Sequence, residues 1–404
     1  MRVREVTETS NSQVIMFICF IFGCVKEFLE KCAWKMKPAG NLKEVAQLFF
    51  KLGCIAFGGP AAHIAMMEDE VVKKRKWMTH EHFLDLVGAT NLIPGPNSTE
   101  MTMHCGYERA GWKGLAVAGA AFIFPAVVIT AIFAWLYQQY GQLPNVQPFI
   151  YGIKPAVIAI ILSAVITLGK KALKNTELAI LGALTLAACL LGTNEIVALF
   201  GCGASGLLLY FLKRKRNELK SIAPVFMVLP VVSSWKIFWI FLKVGAILYG
   251  SGYVLFAFLD AELVNHGLLT RQQLIDAVAV GQFTPGPVLS TATFIGWQMN
   301  GVWGAVAATA GIFLPSFLFV ALLNPVIPKM RRSKWFAAFL DAINVASVAV
   351  ILAVCIAMGK EAITDWRTIV VAVVSFMIVF YFKKINSAFI VVGGAALGYL
   401  LWLI

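Results

Sequence analysis

The sequence predicts an all-α polytopic membrane protein built from two inverted-topology repeats. Three observations lead there: the composition, an internal repeat with a nearly constant offset, and the alternation of basic and non-basic loops. The 404 residues are 59% hydrophobic and only 14% charged, so most of the length must face lipid or other apolar helices. About 20 apolar residues span a bilayer as a helix, and many such runs between short polar breaks give a multi-pass chain rather than a single anchor. The net charge of +13 is carried largely by short clusters between these runs, at Lys73 to Lys76, Lys170-Lys171, Lys213 to Arg216, Arg331-Arg332 and Lys383-Lys384. Cytoplasmic loops have this pattern, and a nucleic-acid-binding face does not. The eight cysteines contain no CxxC pair, so they read as small buried hydrophobes rather than metal ligands.

The repeat shows in four matches. Lys51-Leu52-Gly53 recurs as Lys243-Val244-Gly245, Phe57-Gly58-Gly59 as Tyr249-Gly250-Ser251, Pro94-Gly95-Pro96 as Pro285-Gly286-Pro287, and Pro125 as Pro315. The offsets of 192, 192, 191 and 190 residues drift slowly and keep their order, as two homologous halves with single deletions would. The first repeat, residues 45–212, reads as a helix over 45–66 broken at Phe57 to Pro60, then half-helices 80–93 and 97–108. Proline and glycine cannot continue a helix between those two, so they form a re-entrant-like hairpin about the PGP turn. Four further spans follow at 113–137, 147–168, 177–192 and 195–212. The second repeat, residues 236–404, has the same plan: a broken helix at 236–258, a hairpin at 271–284 and 288–299, then spans at 303–323, 335–358, 367–382 and 386–403. Residues 213–235 read as a cytoplasmic basic linker. Residues 1–44 read as an N-terminal tail whose apolar stretch, 13–25, lies on the membrane as a short helix.

Counting the broken helix as a span gives five crossings per repeat, an odd number, so the two copies should point opposite ways. Loop charge agrees. With Lys73 to Lys76 cytoplasmic, the loops at 169–174, 213–220, 328–334 and 383–384 are basic, and those between are not basic except 359–367, which is mixed. This is the inverted-repeat signature of secondary transporters. Lys26, Lys31, Lys35, Lys37 and Lys43 resist the scheme, because it puts them outside.

Interrupted helices survive at membrane depth only where protein or a polar cavity surrounds them, so the two aromatic-Gly breaks and the two PGP turns mark a central site. A half-helix that starts after such a turn presents unpaired N–H groups and a partial positive charge to an anion. Asn97, Ser98 and Thr99 in the first repeat and Ser290 and Thr291 in the second can cap those starts or donate to a bound oxyanion. Gly95 and Gly286 permit the turns. Lys51 and Lys243 lie six residues before each break, where an intramembrane ammonium is costly without a partner; their recurrence places them beside a dianion, with snorkelling to the interface as the alternative. His63, just after the first break, joins the candidates. Carboxylates supply the coupling side: Asp85 and Asp276 each precede a PGP turn by nine residues, Glu100 follows Asn97 by three, and Asp341 lies within an apolar segment. His80-Glu81-His82 lacks the HExxH spacing that would put two ligands on one helix face. No metal, cofactor, P-loop or catalytic constellation is expected, and the chain does not read as an enzyme.

The segments FGGPAAHIAMMEDEV (57–71), RKWMTHEHFLDL (75–86), NLIPGPNSTEM (91–101), GYERAGWKG (106–114) and TPGPVLSTATFIGW (284–297) closely resemble the chromate ion transporter family in its two-domain, long-chain form. The resemblance covers residues 45–404. It implies a chromate transporter of the cytoplasmic membrane that exports chromate and confers resistance. The family's FGG and PGP residues fall on Phe57, Gly58, Gly59, Pro94, Gly95 and Pro96. Chromate and sulfate share charge, shape and nearly the same size, so sulfate-type uptake stays open beside chromate efflux, as does an anion channel. The expected partners are the oxyanion and the lipid bilayer, with room for a homodimer and none for nucleic acid.

Overall fold

Proline and glycine cut this chain into helices whose lengths decide what each can do. The computed structural model describes residues 41–57, 59–141, 143, 146–213, 234–249, 252–323, 333–382 and 385–403, and every regular element among them is helical. In the first repeat α1 (Leu42–Ile55) is capped by the Asn41 side chain and stops at Ala56. The chain restarts as α2 (Pro60–Glu68), with proline at its first position, and runs on through a π-helical turn at Asp69–Lys74. Proline suits that position because its missing N–H has no intrahelical partner to lose. The Thr79 side chain caps α3 (His80–Thr90) by accepting from the His82 N–H. After the first PGP turn comes α4 (Asn97–Tyr140), which leaves helical geometry at Ala110 and Gly111 and so consists of two limbs. The limbs fold back so closely that neither Gly106 nor Gly114 has room for a methyl against the other. Three more helices complete the repeat: α5 (Gln147–Ala172), α6 (Thr176–Leu190) and α7 (Glu195–Lys213).

The second repeat reproduces the series with α8 (Ser234–Ile247), α9 (Val254–Leu259) with its own π-helical turn at Asp260–Val264, and α10 (Arg271–Phe283). The second PGP turn leads through a short 3₁₀ segment, Val288–Ser290, into α11 (Thr291–Leu323), which kinks at Asn300 and Gly301. Then come α12 (Lys334–Ala362), α13 (Trp366–Tyr381) and α14 (Ser387–Trp402). Among the described residues four helical segments are long and apolar enough to cross a membrane, 97–140, 147–172, 288–322 and 334–362, and four shorter apolar helices accompany them. The protein is thus an all-α polytopic membrane protein with repeats.

One expectation changes. The broken first helix does not cross; it folds back. Glu44, in the first turn of α1, accepts from Arg109 Nη2 at 2.8 Å and from Trp77 Nε1 at 3.3 Å, and Trp77 lies beyond the end of α2. Lys51 meets Glu70 across the same two legs at 3.3 Å. The physical reason is the break itself: α1 stops at Ala56 and α2 restarts at Pro60, whose ring cannot continue a helix, so the second leg is free to turn back on the first. The PGP hairpin also returns to its side of entry, since His82 at the start of α3 lies 3.5 Å from Glu108 at the end of the first limb of α4. Each repeat therefore holds two re-entrant hairpins and four crossings.

Four crossings return each repeat to its starting side, so inversion rests on contacts between the copies. Tyr137, at the far end of α4, donates to Asp276 near the start of α10 at 2.6 Å. Lys174, just past α5, meets Asp341 near the start of α12 at 2.7 Å. Trp297, at the end of the second re-entrant limb, donates to Gln138 at 2.9 Å. Entry ends of one copy thus sit at exit ends of the other. One face, the basic face, gathers Lys43, Lys73, Lys74, Arg75, Arg109, Lys113, Lys170, Lys171, Lys174 and Lys334. The fold-back of α1 also resolves the misfit of Lys43, which joins this face rather than the opposite one. α7 ends at the basic face, whereas Ser234, bonded to Asn300 at 2.6 Å, stands at the other, and the linker residues 214–233 lie outside the described residues. The apolar stretch 13–25 and the basic pairs Arg331-Arg332 and Lys383-Lys384 lie outside the described residues.

Candidate functional site

The four interruptions meet in the middle of the molecule, and each PGP turn docks on the broken helix of the other repeat. The Gly95 N–H donates to the Leu248 carbonyl at 2.7 Å, and the Gly286 N–H donates to the Ala56 carbonyl at 2.8 Å. A helix that stops at membrane depth leaves carbonyls that lipid cannot satisfy; here the partner repeat satisfies one at each break. Both donors need glycine. Gly95 has φ +143° and Gly286 φ +89°, a region costly for any side chain.

From the basic face a cavity of about 940 Å³ runs down to this crossing. Lys171, Lys174 and Asp341 stand at its mouth, and Ser163, Thr167, Asn344 and Ser347 line its walls. Its floor is made of Phe57, Gly59 and Pro60 from the first break, Gly252 and Tyr253 from the second, and Asn91 and Asn97 flanking the first PGP turn. Three helix starts, those of α2, α4 and α9, reach this floor, and none has a side-chain cap. Their unpaired N–H groups and helix dipoles make the floor attractive to an anion without a metal. Asn97 donates instead to the Asn91 carboxamide at 2.7 Å, which keeps both amides at the floor. Below it the two repeats close to a gap of about 10 Å³ between Pro60, His63, Pro96, Ser98, Tyr253 and Leu289.

On the opposite face the repeats are locked together. Asp276, 5% exposed, accepts from the Tyr137 hydroxyl and lies 3.5 Å from Lys154 Nζ. Tyr151 of the first repeat bonds Asp365 of the second, and within the second repeat Arg271 forks onto Asp260 at 3.0 and 3.2 Å and reaches Glu361 at 3.0 Å. A smaller space of about 210 Å³, bordered by Lys154, Tyr151 and Glu361, lies above this lock.

The structure brings Phe57, Gly59, Asn97 and Asp341 to the cavity, Pro96, Ser98 and His63 to the gap beneath it, and Gly95 and Gly286 to the crossing. Pro94, Pro285 and Pro287 shape the turns. Thr99 and Ser290 are fully buried, and Thr291 bonds back to the Val288 carbonyl at 2.8 Å, so none of these three lines the cavity. Lys51 and Lys243 are elsewhere. Sequence reasoning put both beside the ion, but their ammonium groups sit on Glu70 at 3.3 Å and Glu262 at 2.6 Å, bracing the legs of the two first hairpins. Lys51 is 57% exposed, so it satisfies its charge at the water-facing side. Burial raises the Glu70 carboxyl, but hydrogen bonds from Arg75, Lys74 and Lys51 outweigh it and hold the group at about 2. The repeated acids also part ways, since Asp85 is exposed where Asp276 is buried. Glu100 is fully buried away from the cavity. Asp341 pairs with Lys174 at the mouth. Gly58, Gly250 and Ser251 lie outside the described residues. His80 and His82 point to different acids, Glu68 and Glu108, and no group of three metal-ligating side chains forms among the described residues.

Sequence reasoning missed Lys154, Lys171, Lys174 and Tyr137. Lys154 was visible by the criterion applied to Lys51, a lone cation inside an apolar run. Lys171 and Lys174 read as loop charge, and only the packing of α5 beside α12 shows that they frame a cavity.

Comparison with known proteins agrees with this architecture. The profile of a family described as chromate transporter matches residues 43–207 and, a second time, residues 235–399. A probable chromate transport protein of Synechococcus elongatus is 30% identical over 380 residues, covering 90% of this chain and 97% of its own. The chromate transport protein of Cupriavidus metallidurans is 31% identical, covering 89% and 93%. That of Pseudomonas aeruginosa is 27% identical, covering 90% and 94%. No solved structure matches. With both repeats matched and relatives aligned along most of their length, the chain belongs to the chromate transporter family, whose members are membrane transport proteins rather than enzymes.

Proposed function

We propose that this protein exports chromate across the cytoplasmic membrane by alternating access, with one repeat rocking against the other around the crossing. The observation that carries the reading is the one-sided cavity of about 940 Å³, which ends on uncapped helix starts from both repeats. A tetrahedral dianion would enter past Lys171 and Lys174 and settle against backbone N–H groups, Asn91 and Asn97. Its charge is offset there by dipoles and hydrogen bonds that need no metal. Basic loops mark the cytoplasmic side, so the cavity loads from the cytoplasm, which supports efflux. The lock of Asp276, Lys154 and Tyr137 supports a cycle in which the outer side is shut while the inner side is open.

The test is uptake of chromate and of sulfate into proteoliposomes holding the purified chain, under imposed pH and voltage gradients. Accumulation of chromate against its gradient is expected. Dissipation alone would make the protein an anion channel, for which broken helices serve equally well, and preference for sulfate would replace the substrate but keep the mechanism.

A further inference from the structure

Glu100 is the one deeply buried acid with no ion pair or hydrogen bond among the described residues. It sits on the first limb of α4 with both oxygens sealed from solvent, and Ser316 Oγ and Thr99 Oγ1, also buried, are in the same condition. Glu100 Oε1 and Ser316 Oγ both press on Gly95, so a methyl there would collide with the two. The carboxyl thus lies directly behind the turn whose N–H holds the second repeat.

Repeat symmetry shows that packing does not require this acid. In the other copy Gly286 packs on Ala126, the residue equivalent to Ser316, and Thr291 stands where Glu100 would be. The second copy makes the same crossing without a carboxyl. Along the first limb, Glu100, His104 and Glu108 follow at intervals of four residues, which places them on one helix face about 5–6 Å apart per step. His104 is 1% exposed, its two ring nitrogens have no hydrogen bond among the described residues, and Glu108 and His82 are the charged groups within its reach. Glu108 lies 3.5 Å from His82 at the basic face. The matching limb of the second repeat carries Thr291, Phe294, Ile295 and Gln298, none of which titrates. From the second repeat, Ser316 and Tyr249 face Glu100, and among the described residues no cation does.

We propose that Glu100 holds one exchangeable proton, passed between it and the basic face along His104 and Glu108, and that this proton is the ion coupled to substrate movement. A carboxylate sealed at membrane depth without a counter-cation is too costly to persist. It holds a proton as the neutral acid while the crossing is closed. When the two repeats separate at Gly95 the carboxylate takes that proton from water on the opposite face, and it gives it up to the basic face in the return step, so the proton moves inward as the oxyanion moves outward. The inference rests on the oxyanion-transport reading above.

Wild type, Glu100→Gln, Glu100→Asp and His104→Phe are reconstituted in vesicles with an internal pH dye. Two rates are read, chromate–chromate exchange at equal pH and net chromate flux after a pH step. Glu100→Gln should keep exchange and lose both the response to the pH step and the dye signal linked to chromate. Glu100→Asp should recover part of that response, and His104→Phe should keep exchange and lose proton movement. A wild-type pH response in Glu100→Gln overturns the proposal. So does loss of exchange in a monodisperse Glu100→Gln protein, or wild-type flux driven by sodium with no dye response. Infrared titration adds a readout that needs no transport, since the protonated-carboxyl band present in wild type should vanish in Glu100→Gln. If the wild type moves no oxyanion, the functional reading fails while the infrared result still decides whether Glu100 carries a proton.

Discussion

Asp85 and Asp276 occupy equivalent places before the two PGP turns, yet one is exposed and the other is buried against Lys154 and Tyr137. Their spacing from the turns was legible in the sequence. Their unequal surroundings were not, because Lys154 is 122 residues from Asp276 in the chain and only tertiary packing brings them together. The same limit misplaced Lys51 and Lys243, whose acid partners lie 19 residues away across a hairpin that a linear reading turned into a span. Glycines at the turns were read correctly as permissive, and the structure adds that they are also crowded. Gly95→Ala should therefore destabilise the fold on two counts, backbone strain of about 1–3 kcal/mol at φ +143° and collision with Glu100 and Ser316. Gly286→Ala meets Ala126 Cβ at 2.8 Å and should behave alike. Thermal unfolding in detergent checks both, with Gly111→Ala as a control, since Gly111 has positive φ but open space around it. If Gly95→Ala falls no lower than that control, the crowding argument fails.

At the level of helices, the hairpins around PGP, the four crossings after each and the breaks at Phe57 to Pro60 were all visible as punctuation in an apolar text. What the first break does was hidden, because a helix of 14 residues joined to one of nine looks like a single interrupted span. The charges held the clue, since Lys43 at the start of α1 joins the basic side only if α1 and α2 fold back. The geometry makes a sidedness prediction that separates the two readings. Single cysteines at Lys43 and Lys76, both exposed, should react with an impermeant thiol reagent from the same side of the membrane. A cysteine at Glu361, exposed on the other face, should react only from the opposite side. The measurement uses right-side-out and inverted vesicles in a background whose native cysteines are replaced. Labelling of Lys43→Cys and Lys76→Cys from different sides would restore the crossing helix and remove the re-entrant hairpin.

For the molecule as a whole, two inverted copies of one plan have settled into unlike states, with a cavity of about 940 Å³ at the basic face and one of about 210 Å³ at the other. The sequence can state the symmetry but not its breaking, which depends on which set of cross-repeat contacts is made. Lys154 and Asp276 are the strongest candidates for holding the outer side shut, because they join α5 of one copy to α10 of the other in a nearly dry setting. Removing one partner of a buried pair strands the other charge at a cost of about 3–5 kcal/mol, so single substitutions would confuse opening with misfolding. The informative variant is the double one, Lys154→Gln with Asp276→Asn, which removes attraction without leaving a charge behind. If the pair contributes about 1.4 kcal/mol to the closed outer side, its loss changes the ratio of outward-open to inward-open protein about tenfold. A cysteine at Gln272, beside the outer space, should then be labelled faster from outside, and a cysteine at Ser163, on the inner cavity wall, more slowly from inside. The opposed sign of the two rates is what matters: a general loosening of the fold would raise both, and an inert pair would change neither.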